Sequence, residues 1–241
     1  MDNFEKIFST LSTTQDPQKI FEEFLDYVID INMLSFKEYG LDFQGREKQY
    51  MEMFREWIFL TNDGLKSNDW FDYLGGFYEN IIQSKYKAGN MGQFFTPESV
   101  CSLMAEMTLA CNNRKGGWIN DCCCGSGRLL LAGHILNPTA IIIGQDLDVI
   151  SVKMAALNFY IHGVKGSVLH MNTLSNEFFG GYKVNQYLGV GFPVPHIEVV
   201  ETYNEAFQFF LNRNKEEMVD CRKSVPVTMN DNTIQTTLGE F

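Results

Sequence analysis

The sequence predicts an α/β fold, a Rossmann-like parallel sheet with a ligand site at its carboxyl edge, preceded by an N-terminal helical domain. Three observations predict it. Residues 1 to 90 hold aromatic and aliphatic side chains at helical spacing. From Trp118 the pattern alternates strand, turn, helix, strand, helix, strand, as parallel sheets do. The first strand also runs into Asp121-Cys122-Cys123-Cys124-Gly125-Ser126-Gly127, an acidic residue followed by a glycine-rich turn and an apolar helix. The expected organisation is a helical domain over 1–90, a ligand-binding α/β domain over 91–200, and a C-terminal helix and tail over 201–241.

Taken in order, Phe4, Ile7, Phe8 and Leu11 share one helical face, as do Ile20, Phe21, Phe24, Leu25 and Val28. Asp16-Pro17 supplies a cap and a first-turn proline for the second helix. A third helix is expected from about Arg46 to Leu60. After a turn at Asn62-Asp63-Gly64, a fourth is expected from about Asp69 to Gln83. The aromatic residues read as bundle core. Gly89 to Pro97 breaks the pattern, either as a loop closing over a ligand or as an ordinary linker, and Thr96-Pro97 starts a helix with Val100, Leu103, Met104 and Met107 in one apolar stripe.

The strand at Trp118-Ile119 is followed by a helix over Leu129 to Leu136 and a buried strand at Ile141-Ile142-Ile143. Asp148 caps the next helix, Gly163 stops it, and Val168-Leu169-His170 forms a third strand. Lys183 to Leu188 leads through a proline-bent connection to a strand at Ile197 to Val200. A helix with Phe207, Phe210 and Leu211 on one face then runs to about Cys221.

Glycines at the turn let a ligand approach backbone directly, and Asp146, at the end of the second strand, stands where a ribose diol is gripped in nucleotide-binding α/β folds. A dinucleotide site wants a third small residue three positions after Gly127, where this chain has Leu130. A cofactor without pyrophosphate, such as S-adenosylmethionine, needs only the turn and the acid. Asn172, at the edge after the third strand, reads either as a hydrogen-bonding group for an adenine ring or as a turn-former.

The net charge is −11, with no Lys/Arg cluster of the kind that neutralises nucleic-acid phosphates, so a DNA-directed role would draw most of its grip from a partner. The six cysteines, 101, 111, 122, 123, 124 and 221, lack the spacing of a zinc site; they read as reduced thiols, with Cys122 to Cys124 filling a tight turn. No metal is expected. The start of the chain lacks a signal-peptide pattern and no apolar run is long enough for a membrane span, so a soluble, cytoplasmic protein with no membrane association is expected. The four histidines, 134, 162, 170 and 196, are scattered and read as surface or turn residues.

Four stretches in this order resemble the modification subunit of type I restriction-modification systems, the N6-adenine DNA methyltransferases. Gly92-Gln93-Phe94-Phe95-Thr96-Pro97 looks like that family's G-Q-F/Y-x-T-P, and Asp121 to Gly127 like its D-P-A-C-G-S-G, with Cys122 and Cys123 in place of Pro and Ala. Gly144-Gln145-Asp146 resembles its G-Q-E, and Asn172-Thr173-Leu174 its G-D/N-T/S-L. The resemblance implies an S-adenosylmethionine-binding methyltransferase domain over 91–200. It implies cofactor contacts from Gln93, Phe94, Phe95, Thr96, Asp121, Cys123, Gly125, Ser126, Gly127, Asp146, Leu147 and Asn172. It also implies a restriction-modification or mobile-element setting, with a specificity subunit or another protein as partner.

The family's N/D-P-P-Y/F/W motif, whose polar groups accept hydrogen bonds from the target amine while the aromatic stacks on the flipped base, has no counterpart. Phe192-Pro193-Val194-Pro195 has neither its acceptor nor its spacing. No catalytic residue is therefore assigned, and two functions stay open. One is an N6-adenine DNA methyltransferase; the other is a cofactor-binding regulatory or assembly partner without turnover.

Overall fold

A computed structural model describes residues 1–34, 41–83, 95–109, 116–189 and 193–205. All lie within the first of two compact units, Met1–Ala206 and Phe207–Phe241. The predicted helix around Phe207, Phe210 and Leu211 is outside the described residues, as are Gln93, Phe94 and Phe192.

The N-terminal helices form as their caps dictate. In α1 (Asn3–Leu11), Asp2 accepts from the Glu5 amide, and in α2 (Pro17–Ile31), Asp16 accepts from the amides of Gln18 and Lys19 with Pro17 in the first turn. Phe4 meets Phe24, Tyr73 and Phe77 edge-on at centroid separations of 5.2, 5.2 and 4.9 Å, contacts worth roughly 0.5–1.5 kcal/mol each beyond burial. Two boundaries differ from the expectation. α3 (Glu47–Gly64) runs through Asn62-Asp63-Gly64, where a turn was expected; a Cβ at Gly64 would strike the Phe71 ring, so this glycine serves close packing. α4 (Tyr73–Phe77) starts later than expected, after Asp72 caps it, and widens into a π-helical turn at Tyr78–Gln83.

Five strands form one sheet in the order β1 (Trp118–Asp121), β2 (Ile141–Asp146), β3 (Gly166–Asn172), β4 (Glu177–Val184) and β5 (Ile197–Val200). α5 (Glu98–Leu109) precedes β1. α6 (Arg128–Leu136) joins β1 to β2, and α7 (Val149–His162) joins β2 to β3. The expected parallel arrangement holds for β1, β2 and β3 alone, since β4 pairs antiparallel with β3 and β5 antiparallel with β4. The sequence conceals β4 because two glycines interrupt its apolar pattern. At Gly181 a Cβ would lie 2.7 Å from the Val168 carbonyl oxygen, so the tight strand pairing needs a bare backbone there.

α7 ties the sheet to the helices. Lys153 pairs with Glu22 at 3.0 Å and Asp26 at 2.8 Å, and the Tyr160 hydroxyl donates to Asn32 at 2.7 Å. The chain after α2 also runs beside β5, with Leu34 donating to Ile197 and Ile197 to Asn32. One hydrophobic core therefore continues from Phe4 to Val168 and Ile197. His196 corrects an expectation: it is buried, and its Nε2 accepts from the Tyr187 amide at 3.1 Å, because it anchors the entry to β5.

The stripe expected on α5 has helical period but faces outward. Val100, Leu103, Met104 and Met107 are 41%, 55%, 42% and 70% exposed, whereas Cys101 and Ala105 are buried. Small side chains turn inward here because they let α5 approach α6 closely. On its outer side β1 has no neighbouring strand among the described residues. Among the same residues no helix is long and apolar enough to cross a membrane.

Candidate functional site

The carboxyl ends of β1, β2 and β3 converge on the glycine turn. Gly125 and Gly127 adopt φ of 54° and 89°, left-handed conformations that favour glycine. The turn leans on β2 through the Cys124 amide, which donates to the Gln145 carbonyl at 2.9 Å, and closes on itself where the Gly127 amide donates to the Cys124 carbonyl at 2.8 Å. Gly144 lets the turn pack tightly on β2, since a Cβ there would lie 3.0 Å from Cys124 Sγ and force it to shift.

Asp146 joins turn and strand. Its Oδ2 accepts from the Gly125 amide at 2.8 Å and its Oδ1 from the Asp148 amide at 2.9 Å. A carboxylate oxygen can accept more than one hydrogen bond, so Asp146 retains capacity for hydroxyl donors. Asp121 accepts from the Cys123 amide at 3.1 Å. The Thr173 hydroxyl, beyond β3, reaches the Cys122 carbonyl at 3.5 Å. Phe95 packs from the far side of the turn: a Cβ on Gly125 would come within 2.8 Å of its ring. Phe95, Gly125, Asp146 and the end of β3 thus meet at one place.

The remaining predicted residues fall around this centre. Thr96, Cys123 and Leu147 are exposed at its rim. Asn172 is half-buried and its side-chain oxygen accepts from the amides of Leu174 and Ser175, the geometry of a turn-former. Ser126 is 1% exposed, and its hydroxyl donates to Asp72 at 2.6 Å, beneath the turn rather than above it.

That underside holds residues the sequence reading passed over. Asp72 Oδ2 also receives Arg128 Nε at 2.7 Å, while its Oδ1 receives the Asn158 side-chain amide and the Gly75 amide, each at 2.8 Å. Arg128 reaches Glu79 at 3.0 Å. Lone polar residues inside apolar helices, Arg128 ahead of Leu129-Leu130-Leu131 and Asn158 in α7, were the available signal, because such groups are buried only when partnered.

Burial lifts the Asp121 carboxyl above its ordinary range, the Cys123 amide pulls it back, and the Asp146 charge pushes it up again. Partial desolvation and the neighbouring Cys122 raise the Cys123 thiol, and burial, with Asp146 adding to it, raises that of Cys124, so both stay protonated at neutral pH and are poor nucleophiles. Burial disfavours the charge on Arg128, and Asp72 and Glu79 more than offset it. The site presents an acidic, hydrogen-bond-accepting rim over a fixed backbone. Such a rim suits a polar, cationic nucleoside better than a phosphate.

A family model described as N-6 DNA methylase matches residues 70–190, half of the chain. A type I restriction enzyme MjaVIII methylase subunit from Methanocaldococcus jannaschii is 30% identical over 99 residues, covering 39% of this chain and 16% of that protein. A type I restriction enzyme HindI methylase subunit from Haemophilus influenzae is 28% identical over 146 residues, covering 56% and 31%. Among solved structures, a type I restriction-modification methyltransferase subunit from Streptococcus thermophilus matches 73% of this chain and 38% of its own, at 24% identity and a TM-score of 0.35. The chain spans less than a third of these two curated relatives. The family match spans Asp72, the glycine turn, Asp146 and Asn172 together, and the chain belongs to the N-6 DNA methylase family.

Proposed function

We propose that the chain adopts a Rossmann-like methyltransferase fold and binds S-adenosylmethionine at the carboxyl ends of β1, β2 and β3, serving methylation of adenine N6 in DNA within a restriction-modification system. The observation that carries this reading is the hydrogen bond from the Gly125 amide to Asp146, which holds a glycine turn of positive φ against the acid that ends the next strand. The residues fit such a cofactor. Asp146 keeps acceptor capacity for the ribose diol, the half-buried Gly125 offers backbone to the amino-acid end while the buried Gly127 shapes the turn beneath it, and Leu147 offers an apolar surface to the base. When bound, S-adenosylmethionine supplies an electrophilic methyl group on a positively charged sulfonium. Asp121 and Asp146 favour that cation by charge, and Phe95 excludes water from the turn.

The target amine needs acceptors that draw its hydrogens while the base is held out of the helix. No Asn-Pro-Pro or Asp-Pro-Pro occurs in residues 1–241, and the net charge is −11. In this reading those acceptors, and most of the grip on DNA phosphates, come from outside these residues, from a partner such as a specificity subunit. The missing motif also favours a second reading: a cofactor-binding regulatory partner that does not turn over.

Calorimetric titration with S-adenosylmethionine, paired with tritiated methyl transfer to adenine-containing DNA, separates these cases. Binding is expected. Binding without transfer favours the second reading or an absent partner, transfer by the chain alone removes the need for external acceptors, and no binding removes the cofactor assignment.

A further inference from the structure

The segment Phe95–Thr96–Pro97 is irregular backbone, and the groups that fix it lie beneath the glycine turn. Glu79 Oε1 accepts from the Phe95 amide at 2.7 Å while Glu79 Oε2 pairs with Arg128 at 3.0 Å. The guanidinium carbon of Arg128 sits 5.3 Å from the centroid of the Phe95 ring, within cation–π range. Arg128 Nη1 also donates to the Thr96 carbonyl at 3.5 Å, a long contact that adds direction more than strength. Asp72 in turn fixes Arg128 through Nε at 2.7 Å, and its side chain is fully buried. One cation therefore touches the glycine-turn helix that bears it, the cap of α4, the π-helical turn and the segment lying on Gly125.

We propose that Arg128 is a positioning residue that sets how tightly the amino-acid end of the bound nucleoside is held, by pinning Phe95 over Gly125 through its ring and through the neighbouring Thr96 carbonyl. This rests on the cofactor reading above. The assignment follows from where the forces act. Phe95 covers Gly125, while Asp146 lies on the β2 side of the turn and receives nothing directly from Arg128. Releasing Arg128 loosens the Phe95 side and leaves the ribose side intact. A planar fork with several donors is needed, because Asp72, Glu79 and Thr96 are engaged through different guanidinium nitrogens. A lysine ammonium at this position holds the charge but not the three directions.

The test compares S-adenosylmethionine with 5′-methylthioadenosine, which shares the nucleoside and lacks the amino-acid end, by calorimetry on the wild-type chain, Arg128→Lys and Glu79→Gln. Arg128→Lys is expected to weaken S-adenosylmethionine about tenfold or more while changing 5′-methylthioadenosine less than about twofold. Glu79→Gln, whose amide oxygen still accepts from Phe95, is expected to give a smaller loss of the same selectivity. Faster amide exchange at Phe95 in Arg128→Lys, with unchanged exchange at Gly125, gives a readout that does not depend on any ligand. Equal weakening of both ligands, no weakening of either, or unchanged exchange at Phe95 overturns the proposal. Wild-type chain that binds neither ligand overturns the cofactor reading, and this proposal with it; wild-type binding with unaltered selectivity in the variants overturns the proposal alone.

Discussion

The two sides of the glycine turn differ in how their charges are kept. Beneath it, Asp72 and Arg128 are buried and each hydrogen bond is answered from within the protein. Above it, Asp146 is half-buried and accepts, among the described residues, from two backbone amides, and Asp121 sits near enough for their charges to oppose each other. The lower side has its polar groups engaged within the protein, and the upper side leaves acceptor capacity on Asp146, which the proposed cofactor would use. On the proposed cofactor reading, substitutions on opposite sides of the turn should break different properties, stability below and affinity above.

The largest expected effect is on the lower side. Asp72→Ala leaves Arg128 with Glu79 as its carboxylate partner among the described residues and strips partners from Ser126, Asn158 and the Gly75 amide. Breaking a buried pair in this way costs roughly 3–5 kcal/mol. Urea unfolding should show the midpoint fall with little change in slope. Removing both members, as Asp72→Leu with Arg128→Met, should recover part of that loss, since it is the unpaired charge that costs most. A single-variant loss below about 1 kcal/mol would mean water reaches this network.

The upper side should behave in the opposite way. Asp146→Ala removes the acceptor for two backbone amides that water can replace, so its stability cost is about 1–2 kcal/mol. Affinity for S-adenosylmethionine should fall at least about 100-fold, the worth of two hydrogen bonds to a charged acceptor. Calorimetry and unfolding on one preparation read both. If affinity survives, the ribose is not held at Asp146.

A pH effect lies between these extremes. His162 accepts from the Phe71 amide through Nε2 at 3.2 Å, and its Nδ1 faces the Asn158 carbonyl at 2.8 Å, which fixes the neutral ring with its proton on Nδ1. Burial lowers its pKa from 6.5, and His134, lowered by burial, is opposed further by charge on His162. The unfolded chain takes up the proton first, so this contribution is complete above pH 6.5 and is lost as pH falls through the lowered folded value. Unfolding midpoints measured from pH 7.5 to 5 should decline, and His162→Gln should flatten the decline. His162 borders the Asp72 network through the Asn158 carbonyl, and the Asp72 charge opposes part of the lowering, so Asp72→Ala should steepen the same decline.

The upper side of the turn was legible in the sequence, because glycines with positive φ and acids at strand ends must occupy fixed positions in the chain. Phe95, Gly125 and Asp146 meet as the motif order implied. The lower side was not legible, since Asp72 and Arg128 lie far apart in the chain and a pair of that kind has no local pattern. Ser126 shows the cost: placed by its motif among cofactor residues, its hydroxyl in fact turns down to Asp72. β4 was missed because glycines that permit close pairing look like loop residues. Periodicity gave α5 its stripe but could not say which way it faced, since the inward face carries the smaller side chains.

α5 offers the smallest effect and the clearest check on burial as the dividing variable. Met and Lys have similar helix propensity, so Met107→Lys tests the environment alone. At 70% exposure the change should alter stability by no more than about 0.5 kcal/mol. Ala105→Lys, two residues earlier on the opposite face, against α6, should cost several-fold more, because a long charged side chain must enter a close helix contact. A loss above about 1.5 kcal/mol for Met107→Lys in purified protein would mean that the stripe is covered in solution. Its dependence on protein concentration would then tell association between chains, which strengthens with concentration, from cover within one chain, which does not.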